Sequence, residues 1–191
     1  MDTDLVTRAQ HGDQDAFADL TAVVADRYLA TSHRILGDLG LAEDATQQAL
    51  LDMWRFLPQL RDPARFEAWS YRLLVRACYA EGRRNRRWAP SLRLLSTDDL
   101  VHADDAGLVI DRDQLEGAFR SLSLKHRTVV VLHHYLDLPL DQVADVLGVP
   151  PGTAASRFHY ALRAMRKTLT SGPRSGTERD DRRRDSQDAA S

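Results

Sequence analysis

Rings and cations interleave over residues 66–88, F-E-A-W-S-Y-R-L-L-V-R-A-C-Y-A-E-G-R-R-N-R-R-W. Trp69 and Tyr71 stand beside Arg72 and Arg76, and Arg83, Arg84, Arg86 and Arg87 follow within one short run. Flat rings stack on unpaired bases and arginines neutralise phosphates, so this composition suits single-stranded nucleic acid. Arginines also gather at helix C-termini for dipole reasons, which accounts for one or two of the run but not for all of it. Phe66, Trp69, Leu73, Ala77 and Ala80 share one apolar stripe, and core packing alone would account for Trp69.

A second set lies at residues 139–169. Leu140, Val143, Ala144 and Leu147 recur at helical spacing, Gly148 ends that short helix, and Pro150 and Pro151 open another. The second helix carries an apolar stripe of Ala154, Phe158, Leu162, Met165 and Leu169. Thr153, Ser156, His159, Tyr160, Arg163 and Lys167 lie opposite. From 153 to 167 the basic residues Arg157, Arg163, Arg166 and Lys167 meet no acidic one. A helix pair of this kind is a helix-turn-helix, with base contacts expected from Ser156, His159 and Tyr160 and phosphate contacts from Arg157, Arg163 and Lys167. The plainer reading is an amphipathic hairpin in an ordinary bundle. The acid-free outer face favours nucleic acid, because a merely solvated face mixes both signs.

Residues 41–57, L-A-E-D-A-T-Q-Q-A-L-L-D-M-W-R-F-L, predict a third functional helix, with Glu43 and Asp44 in its first turn. Ala45, Ala49, Met53 and Phe56 can face a core. Asp44, Gln47, Gln48, Leu51 and Trp54 fall on another face, and amides and a carboxylate flanked by Leu and Trp suit a protein-docking surface. Periodicity alone also allows Trp54 to be core.

No P-loop, nucleophile–base pair or metal-ligand spacing is present, so an enzymatic reading has nothing to stand on. His133-His134 invites a metal, but adjacent helix residues point apart and no Cys or acidic cluster completes a ligand set. Cofactors and small-molecule substrates are not expected. The single cysteine, Cys78, excludes an internal disulfide and fits the cytoplasm; a buried small hydrophobe is its simpler role, a redox thiol the other. There is no long apolar run or basic leader, so membrane insertion is not expected. The net charge of -2 hides segregation, with acid around 98–116 and arginine around 83–87, and local fields outweigh the sum.

These patches need rigid carriers. Residues 4–34 predict two helices around His11-Gly12-Asp13, and residues 37–40 a break. Residues 113–135 predict helices interrupted near Leu124-Lys125-His126. The fold class is all-α: two small helical domains joined by a flexible acidic linker, the second carrying the helix-turn-helix. The expected boundaries are 1–89, a linker at 90–112, 113–170, and a disordered tail at 171–191.

With these residues in hand, the chain resembles the extracytoplasmic-function (ECF) sigma factors, small two-domain specificity subunits of bacterial RNA polymerase. L-A-E-D-A-T-Q-Q-A-L-L-D-M-W resembles the family's polymerase-docking helix, F-E-A-W-S-Y-R-L-L-V-R-A-C its minus-ten helix, and L-D-Q-V-A-D-V-L-G-V-P-P-G-T-A-A-S-R its minus-thirty-five reader. The resemblance implies a non-enzymatic subunit that binds core RNA polymerase and promoter DNA and is restrained by an anti-sigma factor. It places Asp44, Gln47 and Gln48 on the polymerase clamp helices. Gln48 stands where an acidic residue is usual, Arg76 where Asn is common, Ala155 where Lys or Arg begins the recognition helix, and Pro139 where Ser or Thr often caps. The alternatives are a helix-turn-helix regulator that acts without being a polymerase subunit, which leaves residues 66–87 unexplained, and a helical scaffold that binds partners without DNA.

Overall fold

The computed structural model describes residues 1–88 and 112–171, with the side chains of 86–88 outside the described set. Every regular element among the described residues is helical. The first unit comprises α1 (Thr3–Gln10), α2 (Gln14–Leu36), α3 (Leu39–Phe56) and α4 (Phe66–Trp88). The second comprises α5 (Arg112–Ser121), α6 (Leu124–Val130), a π-helical turn (Val131–Tyr135), α7 (Leu140–Leu147) and α8 (Pro151–Ser171). Apart from Arg112 and Ser171, the expected linker and tail lie outside the described residues.

Side-chain caps set the helix starts. Asp2, Asp13 and Asp38 accept from the backbone N–H of Asp4, Ala16 and Leu41, and Ser123 accepts from His126. The Asp38 cap places the start of α3 at Leu39, so Gly40 lies inside the helix and Glu43 and Asp44 fall beyond its first turn. At the end of α2, Gly37 takes φ 74, and an added Cβ would also sit 3.1 Å from the Arg127 guanidinium. Pro139 stands at the N-cap of α7 and makes no side-chain cap bond.

The first core depends on small residues. α3 presents Ala42, Ala45, Thr46, Ala49 and Met53 inward, which lets α2 and α4 approach closely. Where the three helices meet, Ser32 Oγ lies 3.4 Å from Thr46 Oγ1 and 3.5 Å from Cys78 Sγ. Phe56, expected in this core, is 42% exposed, because α3 ends there and the chain turns away.

The second unit rests on the first. Val129, Val131, Leu132, Val143, Ala144, Val146 and Ala154 belong to the same buried cluster as Leu20, Tyr28, Leu74 and Cys78. α4 packs against α6 and α7, and α2 against α6 and the π-helical turn. A smaller cluster of Leu122, Val130 and Ala161, flanked by Phe119, Phe158 and Met165, is the second unit's own.

Cys78 is fully buried, and burial pushes its thiol up to about 11. An unfolded thiol would ionise near 9, so the folded chain holds the proton over a range where the unfolded chain has released it. The stability present in full below about pH 9 is therefore lost as pH climbs toward about 11, by about 3 kcal/mol at most. Urea titrations at pH 8 and pH 10.5 should show that loss in the native chain and a smaller one in Cys78→Ala. Equal losses would show that Cys78 does not carry the effect.

Candidate nucleic-acid interface

The N-terminal half of α8 presents one polar patch. Ala155, Ser156, His159 and Tyr160 are all exposed, with Tyr160 at 51%, while Ala154 and Ala161 on the reverse face are fully buried. Gly148, at φ 63, separates α7 from α8 and lets α8 leave at an angle. The Ser156 hydroxyl donates to the Thr153 carbonyl at 3.1 Å, and the His159 and Tyr160 rings lie 6.1 Å apart. Thr153, Arg157 and Arg163 are half-buried at the margins, and Lys167 is exposed farther along. Small polar groups at a helix start, flanked by cations, suit a base-reading surface with phosphate contacts around it.

His133 and His134 belong behind this helix. Their rings pack at 4.7 and 5.4 Å from Phe158, and His133 Nδ1 lies 2.8 Å from the Leu138 carbonyl. They support α8 by packing, and no group of three metal-ligating side chains occurs among the described residues.

α4 distributes its predicted residues unevenly. Arg76, Arg83 and Arg84 are exposed, and Arg84 pairs with Glu81 at 3.1 Å. Trp69 is half-buried with its ring 6.0 Å from Phe66. Tyr71 is corrected from a base-stacking residue to a core residue: it is 2% exposed, packs 5.6 Å from Tyr28 and accepts a hydrogen bond from Arg27 at 2.8 Å. The helical register explains this, since Tyr71 lies within about one turn of the buried residues Leu74 and Val75. Arg72 is half-buried, and its Nη2 donates to the Asp145 carbonyl of α7 at 2.6 Å. The expectations for Arg86 and Arg87 lie outside the described side chains.

A third surface lies between α2 and α3. Asp44, Gln47, Leu51 and Trp54 are exposed together, while Gln48 is half-buried and donates to Asp52 at 2.8 Å. Leu51 and Trp54 edge an open groove of about 540 Å³ lined also by Phe17, Leu29, Gln47 and Leu50. Trp54 is 48% exposed, its ring edge-on to Phe17 at 4.7 Å, so it is a groove wall and not core. Sequence reasoning missed both: Phe17 reads as an ordinary member of the apolar stripe of α2, and Leu29 falls off that stripe.

Residues 23–88 match the family model described as Sigma-70 region 2, and residues 112–165 that described as Sigma-70, region 4. The chain is 34% identical over 158 residues to the ECF RNA polymerase sigma factor SigL of Mycobacterium tuberculosis, covering 81% of this chain and 87% of that one. This chain belongs to the ECF sigma factors. Its function is that of the family: it binds core RNA polymerase and directs promoter-specific initiation. It is 28% identical to SigW of Bacillus subtilis, over 86% of this sigma factor and 94% of that relative. The fold is similar to that of CnrH in complex with the cytosolic domain of CnrY, with TM-score 0.65, 22% identity and coverage of 90% and 99%. It is also similar to that of RpoE in complex with the anti-sigma factor NepR from Bartonella quintana, with TM-score 0.61, 18% identity and coverage of 82% and 98%.

In this sigma factor Gln47 sits at the exposed lip of the groove. If this groove takes core RNA polymerase, Gln47→Arg should weaken that binding by about 2–5 kcal/mol, because an interface tolerates an unpaired charge poorly. Pull-down of core polymerase by the folded variant measures this, and wild-type recovery would remove Gln47 from the docking surface.

Proposed function

We propose that the three surfaces divide the work of promoter-specific initiation. The α2–α3 groove, with Asp44, Gln47, Gln48, Leu51 and Trp54, takes core RNA polymerase. α4, through Trp69, Arg72, Arg76, Arg83 and Arg84, meets the unpaired minus-ten strand, with Arg86 and Arg87 extending its basic end. α8 reads the minus-thirty-five duplex through Ser156, His159 and Tyr160 beside Ala155, with Thr153, Arg157, Arg163 and Lys167 toward the phosphates. The units at 1–89 and 113–170 act as separate readers joined by 90–112, with 171–191 outside them.

The exposed, acid-free face of α8 carries this reading, since it joins small polar groups to flanking cations on one surface. The chain itself performs no bond chemistry and takes no small-molecule substrate; the polymerase makes the RNA. It acts in the cytoplasm without inserting into a membrane, and no described helix is long and apolar enough to cross one. An anti-sigma factor is proposed as its restraining partner, as in the RpoE–NepR complex.

In vitro transcription with core polymerase and this chain tests the whole reading by mapping start sites. Initiation absent from core alone is expected; no such transcripts would favour a regulator that is not a polymerase subunit. Arg76→Ala should reduce permanganate reactivity of minus-ten thymines more than initial duplex binding. An unchanged footprint would make Arg76 structural.

Within the holoenzyme, Ser156→Ala or His159→Ala should change the preferred minus-thirty-five sequence, at about 1–3 kcal/mol per lost base contact. Lys167→Ala should weaken all sequences alike and lower the salt slope by about one. Binding titrations on matched and scrambled duplexes separate the two behaviours, and the reverse pattern would overturn the orientation of α8.

A further inference from the structure

The π-helical turn Val131–Tyr135 carries two adjacent histidines that both reach α8. Successive residues of an α-helix diverge by about 100°, so two neighbouring rings would face different partners. Here the Leu136 N–H donates to the Val131 carbonyl, five residues back, at 3.2 Å. A turn closed over five residues instead of four holds more residues per revolution, so neighbours diverge less. His133 and His134 therefore meet the same ring, that of Phe158, with centroids at 4.7 and 5.4 Å. The two imidazoles lie 5.0 Å apart. The expectation that adjacent side chains point apart holds for an α-helix and fails at this turn.

His133 has a second tie. Its Nδ1 lies 2.8 Å from the Leu138 carbonyl, and a carbonyl only accepts, so Nδ1 carries the proton. Leu138 is held from both sides, because its own N–H donates to the Leu132 carbonyl at 3.2 Å. It follows Asp137, whose φ of 52 is the one positive value outside glycine among the described residues. Pro139 and α7 come next, and α7 starts without a side-chain cap. One side chain thus joins the entry of the helix-turn-helix to the middle of its second helix. It does so by a hydrogen bond at one edge and a ring contact at the other. Phe158 is half-buried, on the reverse side of α8 from the exposed Ser156 and Tyr160.

We propose that His133 is a positioning residue for minus-thirty-five recognition, fixing the aim of α8 by holding Phe158 against the turn that leads into α7. Base contacts through Ser156, His159 and Tyr160 need a fixed direction, since each must meet defined atoms on a base edge. Phosphate contacts through a long cation such as Lys167 tolerate a helix that swivels. Loss of the tie therefore lowers discrimination between promoters and spares affinity for DNA in general. The exposed His134 adds a ring to the same contact. The inference rests on α8 as the minus-thirty-five reader.

Two substitutions divide the tie. His133→Phe keeps a ring against Phe158 and cannot donate to Leu138. His133→Asn places an amide N–H near the Nδ1 position and gives up the ring. Holoenzymes carrying each variant are titrated with promoter fragments that differ only in a native or scrambled minus-thirty-five element. A helix correctly aimed in only a fraction of molecules binds the native element more weakly by that fraction. Each variant should therefore lower the native-to-scrambled affinity ratio by about two- to tenfold, the worth of one neutral hydrogen bond or one aromatic pair. Affinity for the scrambled fragment and the salt slope should match those of the native chain. Equal losses on both fragments would make His133 a stabiliser of the fold and overturn the proposal, as would an unchanged ratio. A native chain that binds both fragments alike would remove α8 as the reader, a failure visible before any variant is made. Nitrogen NMR of the free, unsubstituted chain at pH 8 should find the His133 ring proton on Nδ1. A proton on Nε2 instead would break the tie to Leu138 and overturn the proposal without any variant.

Discussion

Helix α4 has to satisfy two neighbours, and the rest of the molecule is arranged around that constraint. Its inward side carries Phe66, Tyr71, Leu74 and Cys78 into the first core, where the small residues of α3 allow close approach. Its outward stripe lies under α6 and α7, with Gly82 admitting Leu124. A helix buried on two sides has little surface left for a ligand, so one chain segment serves both core packing and interdomain contact.

The polar groups at that contact are handled differently from the apolar ones. Arg72 and Arg127 both donate to carbonyls near helix C-termini, where the dipole favours a cation. Arg127 also donates to the Arg120 and Leu122 carbonyls, which ties the end of α5 to the same guanidinium. Burial draws Arg127 below its ordinary pKa, but a guanidinium remains charged near neutral pH. Each unpartnered buried atom there, Arg72 Nε and Arg127 Nε, costs about 1–3 kcal/mol, enough to oppose a modest apolar interface without dissolving it.

Much of the candidate site was legible because its signals are local. The acid-free face of α8 and the amide-rich face of α3 follow from periodicity and composition, and both emerge on exposed surfaces. Tyr71 was not legible: beside Arg72 it resembles a stacking ring, yet Tyr28 and Arg27 from α2 claim it. Phe56 failed in the opposite direction, since its spacing fits the α3 core stripe but the helix ends where that stripe would continue. Trp54 was undecided until Phe17, far away in sequence, was placed beside it as the opposite wall of a groove.

By itself, the sequence determined most of the helices, the helix-turn-helix, and which faces are charged or apolar. Those properties depend on neighbours within a turn or two, through backbone hydrogen bonding and side-chain period. Only the tertiary structure decided which apolar stripe meets which partner, that one buried cluster runs through both units, and that Arg72 reaches a carbonyl 73 positions along the chain. Such pairings depend on how rigid helices fit together in space, and a helical stripe carries the same period whether it faces a core, a second domain or DNA.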